Sequence, residues 1–402
     1  MSVSDKPSQP THCLIFDPVP FHGGSKVASY EIIRQSLDAG ACFTVLTCDP
    51  ESWQQTSLSD HAQFHLATFF TPGKLGLATQ GWAFWLKQLY FMLLLGLHLL
   101  RHRGITRLVG ISGPGVDMAL YGCRLLFRLP VIQFVHGPVS DSRSVGYCLT
   151  RADTTFYLDS CLPSIKHAIR RFLDNTVHQG CGETLAELAL TPPHYVSFTN
   201  GLSQQQWPTP CHYQQPRLFW AASTLRWKGL DHLVAALQQL PDSCDLRSEI
   251  CFIRPKNIAL PQSRAPVNIP NVSWHQQPQD LDQIRARCSL FVSTSTHEPF
   301  GLSILESLAA GLCVLIPSDH SYWDTQLTHD VNCIKYTPHC AVSLANAISE
   351  LLAQPERLQR IGMAGQRYAN RYRAERCYRP IVSTLTAPNA PRISHQPTRQ
   401  IG

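Results

Sequence analysis

The sequence predicts an α/β protein of two Rossmann-like domains facing across a cleft. Short apolar runs alternate with longer stretches of helical spacing, the sign of a parallel sheet covered on both faces. The pattern restarts after a polar, proline-bearing segment, Trp207 to Pro216. A chain of 402 residues is also too long for one small core and suits two.

In chain order, the first half offers strands at His12 to Phe16, Phe43 to Cys48, Arg107 to Ile111 and Val131 to Val135. Helical spacing runs through Val27 to Leu37 and Val116 to Phe127. The second half offers strands at Leu218 to Ala222, Glu249 to Ile253, Val272 to Trp274, Leu290 to Ser293 and Cys313 to Ile316. The division is residues 1–203, then 204–375, then a helix over 376–387 crossing back to the first domain. Residues 388–402, rich in Pro, Arg and Gln, lack periodicity and are expected to be disordered. In open α/β sheets ligands lie beyond the carboxyl ends of the strands, so two such halves would hold substrates between them.

Trp82 to Leu100 is almost wholly apolar, and Arg101, His102 and Arg103 follow it. Its uninterrupted part, Leu89 to Leu97, is shorter than the about 20 apolar residues a bilayer needs. Three readings stay open, ranked in this order: a buried helix, a helix lying in the membrane interface, and a transmembrane span. The aromatic content and trailing basic residues are those of an interfacial helix, so segment 82–103 is a candidate for peripheral membrane contact.

The net charge of +6 is modest and spread out. No concentrated basic stripe with interleaved aromatics appears, which argues against a nucleic-acid partner. Fifteen cysteines are scattered without a Cys-x-x-Cys pair, and no signal peptide is read at the polar N-terminus. A reducing, cytoplasmic compartment is expected. No His/Cys cluster has metal-ligand spacing, and Asp280-Leu281-Asp282 reads as a helix cap, so no metal is expected.

The stretch His297 to Gly311 carries the most chemistry. Glu298 and Glu306 are separated by seven residues, with Phe300-Gly301 after the first and a small-residue helix running into Gly311. Phe300, Gly301 and Leu302 would present free amides where that helix begins, a ready site for a phosphate. Glutamates on either side can accept from sugar hydroxyls. A nucleotide sugar supplies both groups.

With this motif the chain resembles the retaining glycosyltransferases of the GT-B fold, family 4 (group 1 glycosyltransferases). Leu149 to Asp153, Tyr195 to Trp207 around Asn200-Gly201, Leu225 to Asp231 and Pro355 to Tyr372 resemble further segments of that family. The resemblance implies that the second domain binds a nucleotide-diphosphate sugar and the first an acceptor. It implies that Glu298 contacts the donor sugar, Glu306 accepts both ribose hydroxyls, and Lys228 meets the charge growing on the leaving phosphate. The family pairs this lysine with an arginine five residues earlier, where this chain has Ser223. Arg226 either takes over that charge or is a solvated loop residue.

Gly23 and Gly24, after the first strand, match the family's glycine loop, where a bare backbone can approach a phosphate or sugar closely. His136, ending the strand Val131 to Val135, matches a histidine that faces the donor sugar. Asp153 and Asn200 read as structural, and His297 as a neighbour rather than a participant.

The resemblance therefore implies a retaining, metal-independent hexosyltransferase that needs no cofactor. It would move sugar from a nucleotide donor to a glycan or lipid-linked acceptor in surface polysaccharide synthesis. It would be cytoplasmic, with possible attachment to the inner face of the membrane. A catalytically degenerate relative that binds a sugar nucleotide or a partner enzyme is the alternative, supported by Ser223. A phosphorylase or sugar-nucleotide epimerase of the same fold is less favoured.

Overall fold

The computed structural model describes residues 10–388, apart from 21–22, 55, 77, 175–181, 242–243 and 256–259. The tail expected to be disordered lies almost wholly outside the described residues, as do Phe21 and His22 of the glycine loop.

Two all-parallel sheets form the molecule. The first contains β1 (His12–Asp17), β2 (Cys42–Thr47), β3 (Phe64–Thr68), β4 (Arg107–Gly110), β5 (Val131–Val135), β6 (Thr154–Leu158) and β7 (Tyr195–Phe198), in the order β3-β2-β1-β4-β5-β6-β7. The second contains β8 (Arg217–Ser223), β9 (Arg247–Ile253), β10 (Val272–Gln276), β11 (Leu290–Val292), β12 (Cys313–Pro317) and β13 (Ile334–Tyr336), in the order β10-β9-β8-β11-β12-β13. Helices cover both faces, so central strands such as β5 and β12 are buried at every position. This is the two-domain α/β architecture that the apolar runs predict.

Strands β3, β6, β7 and β13 fall outside those runs, β3 and β13 for a physical reason. Both are sheet edges. In β3 only Phe64 is buried, and β13 has three residues.

The strand order also locates the site. In the first sheet it reverses between β1 and β4, and in the second between β8 and β11. At such a switch point the flanking loops diverge to opposite faces and leave a crevice. The loops after β1, β4, β8 and β11 all open onto the same space between the halves.

The chain passes between the halves twice, and the two crossings pair with each other. Leu202 N donates to the Tyr372 carbonyl (2.9 Å) and Ala374 N to the Leu202 carbonyl (3.0 Å). Gly201 is required here, because a Cβ would lie 2.8 Å from the Ala374 backbone. The final helix, Arg379–Thr386, packs on the helix Gly24–Asp38 of the first half.

The expectation of a buried helix is met only in part by the helix Gly81–Arg101. Core burial holds for one stripe only: Gln88, Phe91, Leu95 and Leu99 pack into the domain. Trp82 (77%), Trp85, Leu86, Leu89, Leu93, Leu97 and Leu100 (60%) stand exposed along the other side. By length and composition this helix is long and apolar enough to cross a membrane. One of its faces is nonetheless fixed to the protein.

Candidate functional site

Between the halves lies a cavity of about 680 Å³. Its walls come from both sheets, and each wall is built locally.

In the second half, β8 ends at Ser223 and turns through Arg226–Lys228. Gly229 closes the turn at φ 74°, where a Cβ would strike the Thr294 carbonyl oxygen. Thr294 Oγ1 donates to the Lys228 carbonyl (2.8 Å), and Trp220 Nε1 donates to Thr294 Oγ1 (3.0 Å). This stitching sets the lysine. Lys228 Nζ lies 4.0 Å from the Trp227 ring centroid and donates to Glu298 Oε2 at 2.5 Å.

Glu298 sits in the loop after β11. The next helix starts at Leu302 with Gly301 as its cap at φ 78°. Its first-turn amides therefore face the cavity, which Phe300, Gly301, Leu302 and Ser303 line. The Phe300 ring packs among Tyr322, Trp323 and Tyr372 at 5.0 to 6.1 Å, anchoring the loop. Positive helix dipole, free amides and one lysine together suit a phosphate-bearing ligand.

In the first half, Gly23 caps the helix Gly24–Asp38, and both glycines line the cavity. A Cβ on Gly24 would lie 3.7 Å from Leu302 Cδ1, so the glycine loop faces the donor-side helix directly. Ser160 Oγ also donates to the Pro299 carbonyl (2.7 Å), joining the first half to the residue after Glu298.

His136 lines the cavity just beyond β5, edge-on to Phe134 and Phe198. Burial holds its pKa down to about 4, so the imidazole is neutral at pH 7. Neither ring nitrogen has a hydrogen-bond partner among the described residues. A buried polar group left open beside a cavity is matched to a ligand more readily than to the protein.

The structure brings together Gly23, Gly24, His136, Ser223, Lys228, Glu298, Phe300, Gly301 and Leu302. It does not bring Arg226. That side chain is 75% exposed, outside the cavity lining, and its nearest acid is Asp231 at 4.0 Å. The three-residue turn points it outward, the placement of a solvated loop residue.

Glu306 lies one helical turn past Leu302, off the cavity lining, with Arg285 Nη2 3.3 Å from its Oε2. Burial raises its pKa, and Arg285 opposes that rise.

Asp153 accepts from Arg124 and from Val131 N, which is a structural role. Asn200 is buried and accepts from Tyr378 Oη at 3.4 Å. The His297 side chain is exposed.

Sequence reasoning missed Arg285, Ser160 and the loop Ser112 to Val116, which lines the first-half wall.

Residues 212–368 match the family profile described as glycosyl transferases group 1. No curated protein matches the sequence. Among solved structures, Anabaena Alr3699/HepE in complex with UDP and glucose aligns with a TM-score of 0.68 at 16% identity, covering 93% of this chain and 99% of that one. Sucrose-phosphate synthase from Thermosynechococcus elongatus aligns at 0.66 and 16% identity, covering 93% and 98%. WaaG, a glycosyltransferase involved in lipopolysaccharide biosynthesis, aligns at 0.63 and 15% identity, covering 94% and 100%. The fold is therefore GT-B.

Proposed function

We propose that this chain is a retaining, metal-independent glycosyltransferase of family 4. It moves a hexose-type sugar from a nucleotide-diphosphate sugar to a glycan or lipid-linked acceptor. One observation carries the reading. Lys228, Glu298 and the amide end of the helix Leu302–Ala310 share one wall of a cavity whose opposite wall presents the free imidazole of His136. The profile match over the second half supports it, as do the neighbours crystallised with UDP and with UDP-glucose. Neighbours named for lipopolysaccharide synthesis support a role in surface glycan assembly.

In the proposed reaction the bond between the sugar's anomeric carbon and the β-phosphate oxygen breaks. A bond from the acceptor oxygen forms on the same face, and the acceptor's proton passes to the departing phosphate. Lys228 and the helix amides meet the charge that grows on that phosphate. Glu298 orients the donor sugar by accepting from its hydroxyls. His136, neutral, hydrogen-bonds the sugar from the first half. A cytoplasmic location with attachment to the inner membrane face is proposed from the exposed stripe of the helix Gly81–Arg101 and the basic residues that end it.

A second reading has one observation behind it. With Ser223 neutral and Arg226 turned outward, Lys228 is the one Lys or Arg among the described lining residues. A donor-binding protein without transfer activity would look like this.

Hydrolysis of a panel of UDP-, GDP- and ADP-sugars with chelator present separates the two. Turnover of one donor, lost in Glu298→Ala and Lys228→Ala, supports the transferase, and the anomeric configuration of the product tests retention. Binding without turnover, even with membrane extract as acceptor, supports the degenerate binder.

A further inference from the structure

We propose that Arg285 is a positioning residue that holds Glu306 for the ribose hydroxyls of a bound nucleoside diphosphate. The inference rests on the nucleotide-sugar reading above and adds to it a residue which that reading does not contain.

The geometry is a matched pair of helix faces. Leu281 begins the helix Leu281–Ala286 and lines the cavity, while Leu302 begins the helix Leu302–Ala310 and lines it too. Four residues on from each, and so on the same face, stand Arg285 and Glu306. Arg285 Nη2 reaches Glu306 Oε2 at 3.3 Å, and its Nη1 lies 3.6 Å from Asp282 Oδ1. The guanidinium carbon is 6.0 Å from the Phe219 ring centroid.

The two partners are not buried alike. Arg285 is 6% exposed, and its Nε has no hydrogen-bond partner among the described residues. Glu306 keeps 24% of its side chain open. A pair built only to pin two helices would bury both charges with their hydrogen bonds complete. Here the arginine is fixed and the carboxylate remains reachable.

Arginine also favours the ionised form of that carboxylate. Burial favours the protonated form of Glu306, Asp282 adds to that pressure, and Arg285 opposes both. A protonated Glu306 can accept fewer hydrogen bonds from hydroxyls. Without Arg285, the preference for a hydroxylated ribose should therefore weaken.

The test is calorimetric titration of the full chain with UDP and with its 2′-deoxy and 3′-deoxy analogues. GDP and ADP with their deoxy analogues run in parallel. Losing a hydroxyl bonded to a charged group should weaken wild-type binding by roughly tenfold or more. In Arg285→Gln the penalty should shrink to about twofold, and Arg285→Lys should restore part of it. Arg285→Met keeps an apolar stem against Phe219 and should behave as Arg285→Gln does if the glutamine variant folds poorly. Equal weakening of ribose and deoxyribose forms in these variants, or an undiminished penalty, overturns the positioning role. A wild-type chain that binds none of the nucleoside diphosphates overturns the nucleotide-sugar reading and this inference with it.

Discussion

Lys228 Nζ stands 2.5 Å from Glu298 Oε2, so the one lysine or arginine and the one carboxylate among the described residues lining the cavity hold each other. Each holds the other in place at the cavity wall. A donor would use both at once, its diphosphate meeting the lysine and its sugar meeting the carboxylate.

That pairing makes single removals costly and double removal only slightly worse. Lys228→Ala and Glu298→Ala should each lower donor turnover by about a hundredfold or more. The double variant should fall within a few-fold of the worse single one, because residues acting as a unit are not additive. Steady-state hydrolysis of the preferred donor checks this. Fully multiplicative losses would mean that the two groups act independently.

His136 should matter for transfer and little for folding at neutral pH. Both ring nitrogens lack partners among the described residues, so His136→Phe removes no hydrogen bond within them. Its pKa is lowered to about 4, against about 6.5 unfolded. Burying the neutral ring therefore lowers stability progressively as pH falls from about 6.5 to 4, where the unfolded chain takes up a proton that the folded one refuses. His136→Phe should melt within a few degrees of wild type at pH 7, lose less stability between pH 7 and 4.5, and transfer sugar about 10- to 100-fold more slowly. Thermal melts across pH alongside activity would check all three. Full activity in the variant would remove His136 from the site.

Periodicity makes most of the fold legible. Buried parallel strands such as Val131–Val135 are continuous apolar runs, whereas Phe64–Thr68 and Ile334–Tyr336 escape notice because edges need not be apolar on both faces. Within the site, Lys228 and Glu298 are legible because a turn and a helix start flank them. The outward placement of Arg226 is not legible, because spacing along a turn does not say which way a side chain leaves it. Arg285 and Ser160 are invisible, since each acts on a residue of another segment: Glu306 for one, the carbonyl of Pro299 for the other. Tertiary partnerships of this kind leave no local pattern.

The exposed stripe of the helix Gly81–Arg101 should bind anionic lipid. Its apolar residues recur at three- and four-residue intervals, and Arg101, His102 and Arg103 lie at its end. The chain should co-float with vesicles containing phosphatidylglycerol and release partly as salt rises, since the ionic share of binding is screened. Leu93→Glu with Leu97→Glu should abolish flotation and leave hydrolysis of a soluble donor unchanged, because neither residue lines the cavity. Equal flotation of the double variant would discard this surface.

Asp117 should set a pH limit on the stability of the first half. The carboxyl is fully buried beneath the loop Ser112 to Val116. Its Oδ2 accepts from Ser112 N (2.9 Å) and Gln133 Nε2 (2.8 Å), and its Oδ1 has no partner among the described residues. Burial pushes its pKa up to about 8. The folded chain thus keeps a proton that the unfolded chain releases near pH 4, and stability contributed by this group falls as pH rises from about 4 to about 8, then levels off. The substitution Asp117→Asn removes the titrating group, and the amide carbonyl it introduces can still accept from both donors. The variant should match or trail wild type near pH 4.5 and melt above it at pH 8. A melting difference constant between those pH values would show that Asp117 ionises in the folded chain as it does in the unfolded one.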